Sequence, residues 1–250
     1  MMPRPAARRV SLALAAVLAA ALTVVVRAPA AWLGDWLQSH GRFRLVDARG
    51  TLWNGSAMLG LSDGRRITLL PGRVAWRLEL AALASGRAAA RLAHPWLAAP
   101  LSFSLGAGTL SLEAGSAELP AAALAALGAP FNTVRPGGAL ELRWSDFELR
   151  GGVLAGELRI DWRAAQSALS NVAPLGDYRL SVRGAGNGAH LQLDTLSGPL
   201  RLEGSGSLGA AGLRFKGIAS AEPQMRSALN GLLSVLGMRS GHNALLSLES

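Results

Sequence analysis

From Gly41 onward, apolar and polar residues alternate with a period of two. Arg42-Phe43-Arg44-Leu45-Val46 and Val74-Ala75-Trp76-Arg77-Leu78-Glu79-Leu80 show the pattern plainly. It recurs at Leu101/Phe103/Leu105, Leu110/Leu112, Leu140/Leu142/Trp144, Leu158/Ile160/Trp162, Tyr178/Leu180/Val182, Leu191/Leu193, Leu200/Leu202 and Leu213/Phe215. Successive side chains of a strand point to opposite faces, so each run predicts a strand with one apolar face and one rich in Arg, Glu, Ser and Thr. Turn-forming residues bound the runs: Asp63-Gly64, Pro71-Gly72, Gly106-Ala107-Gly108, Pro136-Gly137-Gly138, Gly151-Gly152, Gly184 to Gly188 and Gly204-Ser205-Gly206. Short strands joined this way predict a mainly β fold, a long antiparallel twisted or curved sheet, open as a groove or barrel-like.

Two stretches carry a helical pattern instead. Residues 120–127 place Pro120 at a helix start and Gly128 at its end. Residues 223–236 put Met225, Leu229, Leu232, Leu233 and Leu236 on one face, with Gly237 as the stop. This second, amphipathic helix is expected to cover an open end or edge of the sheet, or to dock a partner.

Before the alternating region lies a different signal. The run from Val10 to Val26 contains no charge and no proline, with Arg4, Arg8 and Arg9 before it and Arg27 after it. At about 1.5 Å per residue it makes roughly 25 Å of helix, close to the thickness of a bilayer's hydrocarbon core. The leading arginines hold that end in the cytoplasm and direct the chain beyond Arg27 outward. Ala28-Pro29-Ala30 has small residues where a signal peptidase reads, so the run is an uncleaved anchor, a cleaved export signal, or a buried core helix. Trp32 and Trp36 then suit a headgroup-level segment. The expected organisation is a cytoplasmic basic start over 1–9, a transmembrane anchor over 10–26, an interfacial segment over 27–40 and a periplasmic β-rich domain over 41–250.

Composition narrows the function. Half the residues are apolar, enough for a core, and cysteine is absent, which excludes disulfides and thiolate–metal chemistry. The net charge of +9 comes almost entirely from arginine, with Lys216 the one lysine. Three of those arginines orient the anchor, and the others fall at strand-alternating positions with no dense patch interleaved with aromatics, so nucleic acid is not an expected partner. They read as a solvated strand face, or as one that meets an acidic partner or lipid headgroups.

No catalytic constellation appears and no cofactor is implied. His40, His94, His190 and His242 lie far apart and show no metal-ligand spacing. Gly204-Ser205-Gly206-Ser207 is not a nucleophile elbow and reads as a hairpin turn, and Gly184 to Gly188 lacks the helix that a phosphate loop needs. The carboxylates Asp146, Glu148, Asp161 and Asp177 sit among arginines on strands. The conspicuous residues are tryptophans beside glycines. Gly50-Thr51-Leu52-Trp53-Asn54-Gly55 predicts a type I′ hairpin turn at Asn54-Gly55, with Trp53 and Trp76 as core residues. Val74-x-Trp76 followed by Ala82-Leu83 also matches Ile160-x-Trp162 followed by Ala168-Leu169 at the same offsets, a faint internal repeat.

Taken in order, these segments resemble the type II secretion system protein N family. The likeness runs through Gly50-Thr51-Leu52-Trp53-Asn54-Gly55-Ser56-Ala57 and Pro71-Gly72-Arg73-Val74-Ala75-Trp76-Arg77-Leu78. It continues through Asp161-Trp162, Leu175-Gly176-Asp177-Tyr178-Arg179-Leu180 and Ser197-Gly198-Pro199-Leu200-Arg201-Leu202-Glu203-Gly204-Ser205-Gly206. It ends at Leu213-Arg214-Phe215-Lys216-Gly217-Ile218-Ala219. The resemblance implies an inner-membrane-anchored periplasmic subunit that contacts other secretion components, at the inner-membrane platform or the secretin, with no catalytic residue to carry over. The family is also similar to membrane-tethered β-groove proteins that handle lipid, which makes lipid binding on an apolar sheet face the alternative.

Overall fold

The computed structural model describes residues 27–41, 43–62, 67–128 and 131–249. The apolar run over 10–26, Arg4, Arg8, Arg9 and the Asp63-Gly64 turn lie outside the described residues. Among the described residues, no helix is long and apolar enough to cross a membrane.

Among the described residues the strands form two antiparallel sheets, neither of them closed, where the alternation predicts one long sheet. The first has eight strands in the order β1 (Phe43–Gly50), β2 (Asn54–Ser62), β3 (Ile67–Leu78), β4 (Arg87–Ala93), β5 (Leu101–Gly106), β6 (Thr109–Leu112), β9 (Phe147–Arg150) and β10 (Val153–Ala155). The second runs β7 (Gly115–Pro120), β8 (Pro136–Trp144), β11 (Glu157–Ser167), β12 (Gly176–Ala185), β13 (Gly188–Ser197), β14 (Leu200–Gly209), β15 (Gly212–Ala221), β17 (Asn243–Glu249) and β16 (Met238–Ser240).

The division arises at one corner. The chain passes directly from β6 to β7, from β8 to β9 and from β10 to β11, so three extended segments each bend out of one sheet into the other. Bending breaks the hydrogen-bond ladder, and Trp144, Ser145 and Asp146 satisfy the freed groups. An Asp146 carboxylate oxygen accepts the Ala114 N–H at 2.7 Å, and the Trp144 indole N–H donates to the Glu113 carbonyl at 2.9 Å. Ser145 donates its N–H to the Glu157 carbonyl, and its hydroxyl accepts the Glu157 N–H, both at 2.9 Å. Two further contacts tie the sheets together. Residues 96–98 bond the outer edge of β7 (Glu118 N–H to Trp96 O, 2.8 Å), and Leu154 of β10 donates to Gly186 O beyond β12 at 2.6 Å.

Several glycine-rich segments predicted as turns are parts of strands. Pro71-Gly72 lies inside β3, Pro136-Gly137-Gly138 opens β8, and Gly204-Ser205-Gly206 lies in the middle of β14. Gly138 holds φ +93° where the β8–β11 register slips, so here glycine marks a bulge. In β14 the reason is steric: a Cβ at Gly204 would stand 2.6 Å from the Phe215 ring. The turns at Gly106-Ala107-Gly108 and Gly151-Gly152 form as predicted.

One helix covers a face of the second sheet. α4 (Arg226–Leu236), entered through a 3-10 turn at Pro223–Met225, buries Leu229, Leu232 and Leu233 against Tyr178, Leu200, Ala219 and Ala244. It therefore lies on a sheet face, whereas Met225 precedes the helix and is exposed. The predicted helix at 120–127 is a 3-10 helix, Ala121–Leu127, with Pro120 ending β7. Short helices α2 (Leu80–Leu83) and α3 (Phe131–Val134) complete these connections.

The segment 27–40, expected to be interfacial, joins the β domain. Ala28 and Ala30 are buried, Leu52 N–H donates to Ala28 O at 2.8 Å, and Ala30 N–H donates to Gly50 O at 3.2 Å. α1 (Ala31–His40) comes next, turning Leu33 toward Ala57 and Trp76 and leaving Trp32 and Trp36 exposed.

Candidate interaction site

The singled-out residues assemble into two separate clusters. In the first, Gly50 and Gly55 face each other across β1 and β2, and Gly55 also faces Trp76 of β3. Trp76 is buried; its indole N–H donates to Leu52 O at 2.9 Å, and its ring lies where a side chain at Gly55 would be. Asn54 and Gly55 are not the centre of a type I′ turn, because both belong to β2 and neither has positive φ. The loop is Thr51 to Asn54, closed by Thr51 N–H to Asn54 O at 2.9 Å and Asn54 N–H to the Thr51 hydroxyl at 3.1 Å. Gly50 takes the left-handed conformation instead, at φ +86°, where a Cβ would stand 2.5 Å from Asn54 O. Trp53 is only half-buried, and its carbonyl accepts the Leu78 N–H at 2.7 Å.

The second cluster brings together Trp162, Gly176, Tyr178 and Gly198. Trp162 and Tyr178 are cross-strand neighbours with ring centroids 5.8 Å apart. The buried Tyr178 hydroxyl donates to Leu200 O at 2.9 Å, and burial pushes its pKa above the ordinary tyrosine value. The backbones of Gly176 and Gly198 touch, since a Cβ on Gly198 would be 2.3 Å from the Gly176 Cα. Phe215 lies further along the same sheet, its ring resting on Gly204, Gly206 and Gly217.

The repeat read from the sequence has a geometric counterpart. Trp76 faces Gly55 and bonds the carbonyl of Leu52; Trp162 faces Leu140 and bonds the carbonyl of Gly137 at 2.8 Å. In each case the acceptor lies three residues before the facing residue. Both tryptophans thus tie down the backbone that leads into their neighbouring strand.

The carboxylates among arginines have structural partners. Asp161 is 2% exposed and receives two hydrogen bonds from the Arg179 guanidinium, both at 2.7 Å, and one from Arg163 at 3.2 Å. The Arg179 bonds hold its carboxyl below the usual range. Asp177 accepts the Ala164 N–H at 2.7 Å, Asp146 holds the corner, and Glu148 meets Arg150 on the surface at 3.2 Å. His94 accepts the Trp96 N–H on Nδ1 at 3.2 Å, and burial lowers its pKa. His190 and His242 lie elsewhere in the second sheet and its last turn, and the His40 side chain lies outside the described residues. Among the described residues, no group of three or more His, Asp or Glu is placed to hold a metal ion.

What remains open is the surface of the sheets themselves. Leu105, Leu110 and Leu149 stand in register across β5, β6 and β9 as an exposed apolar row. The opposite character prevails on one face of the second sheet, where charged and hydroxyl side chains line an open cavity of about 690 Å³ across β12 to β15. The sequence periodicity signals which residues share a face within a strand; the register that lines them up across strands is carried by bulges and turns.

The model of one protein family, described as type II secretion system (T2SS), protein N, matches residues 41–245, a span that contains both clusters. No curated protein and no solved structure matches the chain.

Proposed function

The chain belongs to the type II secretion system protein N family, and from that membership we propose that it is an inner-membrane-anchored periplasmic subunit that works by contact with other secretion components. The family match carries this reading. Two features of the chain support the anchor. The apolar run at 10–26 has three arginines before it and one after it, and by the positive-inside rule the arginine-rich end is the cytoplasmic one. A cut after Ala30 would also remove two buried alanines and leave the Leu52 N–H without its acceptor, so the fold favours an anchor that stays attached.

Deleting the gene and assaying secreted exoproteins tests the role. Loss of secretion, restored by the wild-type chain, is the expected result. An alkaline phosphatase fusion after Trp36 is expected to be active, and the mass of the protein extracted from membranes is expected to retain residues 10–30.

The exposed row Leu105–Leu110–Leu149 favours a second reading, a membrane-tethered β-groove protein that binds or transfers lipid on an apolar sheet face. Normal exoprotein secretion together with altered envelope lipid in the deletion strain would select it over the first.

A further inference from the structure

We propose that the polar face of β12 to β15 is a docking trough for an extended acidic segment of a partner protein. The proposal deepens the contact role of the chain and rests on it. Two rows of side chains cross the four strands in register. One is Ser181, Gln192, Ser205 and Lys216; the other is Arg183, His190, Ser207 and Arg214. Together they line the 690 Å³ cavity, whose lining contains no carboxylate. Short hydroxyls form the floor, and the long cationic side chains stand at its sides.

The charge balance of this face singles out the trough. Arg143, Arg159, Arg163, Arg179, Arg183 and Arg201 each meet a carboxylate within 4 Å. Arg214 and Lys216 meet none among the described residues, although Glu249 faces Arg214 in the β15–β17 register. They are two residues apart on one strand, so their side chains leave the same face about 7 Å apart. Like charges so placed repel each other, and a strand-like ligand with acidic residues at alternate positions repeats that spacing and neutralises both. A compact anion would reach one corner of the grid. An extended peptide engages both rows, with the Ser205 and Ser207 hydroxyls placed to bond its backbone, while Gln192 donates to Asp194 at 3.0 Å. The trough has no Trp, Tyr or Phe on which a sugar ring would stack.

The test uses the full-length protein in neutral detergent and fluorescence anisotropy with labelled peptides. One alternates Ser and Glu; the other has the same composition with its glutamates in one block. The alternating peptide is expected to bind more tightly. The double variant Arg214→Gln/Lys216→Gln is expected to weaken it about tenfold, the scale that two partly exposed ion pairs allow. Arg87→Gln/Arg150→Gln removes the same charge from the first sheet and is expected to change binding less than about twofold. Equal losses in the two double variants, or equal binding of the two peptides, would overturn the proposal. So would phosphatidylglycerol vesicles that bind through Arg214 and Lys216 while neither peptide does. Because binding is read on purified protein, its failure leaves the secretion result standing on its own.

Discussion

Gly55 lies directly beneath the indole of Trp76: a Cβ at Gly55 would be 2.5 Å from Cζ2 of the ring and 2.8 Å from the carbonyls of Arg49 and Thr51. Neither carbonyl is free to retreat, because Arg49 is paired within β1 and Thr51 lies in the hydrogen-bonded loop that joins β1 to β2. Gly55→Ala is therefore expected to destabilise the fold by about 1–3 kcal/mol through overpacking. Trp76→Ala removes the ring itself and is expected to cost about 3–5 kcal/mol. Trp53→Ala, at a half-buried position, is expected to cost less than Trp76→Ala. Denaturant titration of the three variants checks the order. Full stability in Trp76→Ala, with loss of a partner, would make this cluster a binding surface.

Asp161 gives the fold a dependence on acid. Its pKa is depressed in the folded state relative to the ordinary 3.8, chiefly by the Arg179 hydrogen bonds. The group therefore contributes stability that is complete above pH 3.8 and is lost as the pH falls through the lower, folded-state value. Asp161→Asn is expected to be less stable than wild type at neutral pH and to show a shallower stability loss below about pH 4. Asp161→Ala is expected to cost about 3 kcal/mol, the low end for a broken buried pair, because the Arg179 side chain is one-third exposed and water screens it. Unfolding midpoints measured between neutral and strongly acidic pH test both statements.

The strands with alternating Leu, Phe, Trp and Val were legible in the sequence, and each of those runs lies in a strand here, except that the run from Val74 leaves β3 after Leu78 and Leu80 opens α2. β4, with Arg87-Ala88-Ala89-Ala90-Arg91, and β2, which contains Gly55, Ala57 and Gly60, were not, because alanine and glycine give little apolar contrast between faces. The same small residues misled the turn reading. Gly204, Gly206 and Gly217 make room for Phe215, which lies near them only once β14 and β15 pair. The separation into two sheets depends on Ser145 and Asp146 meeting Ala114 and Glu157, contacts whose sequence separation hides them. Of the candidate residues, the tryptophan–glycine pairs were visible as motifs. The trough was not, since Arg183 and Arg214 belong to strands separated by two others.

The corner gives a prediction about sheet geometry. Asp146 accepts a charge-assisted bond from Ala114 at an exposed site, so Asp146→Ala is expected to cost about 1 kcal/mol. Asp146→Asn keeps an acceptor oxygen and is expected to retain most of the stability. If the corner is the place where the sheets separate, hydrogen exchange at Ala114 and Glu157 rises in the alanine variant, while the amides of β14 and β15 stay protected.

Ala30 tests whether the segment 27–40 is part of the β domain. It is 1% exposed, packs against Ala57 and Trp76, and donates its N–H to Gly50 O at 3.2 Å. Ala31, the next residue, is exposed at the start of α1. Ala30→Glu puts a carboxylate into an apolar cluster, and it is expected to destabilise by several kcal/mol, of order 3 or more. Ala31→Glu adds the same charge one residue away and is expected to change stability by less than about 0.5 kcal/mol. Limited proteolysis of the two variants in membranes reads the difference as cleavage within β1 and β2. A large effect at Ala30 alone means that the fold begins by residue 28. In the sequence, Arg27 is then the one residue between the apolar run and the buried segment. Equal effects at the two positions would instead mean a segment loosely attached to the β domain.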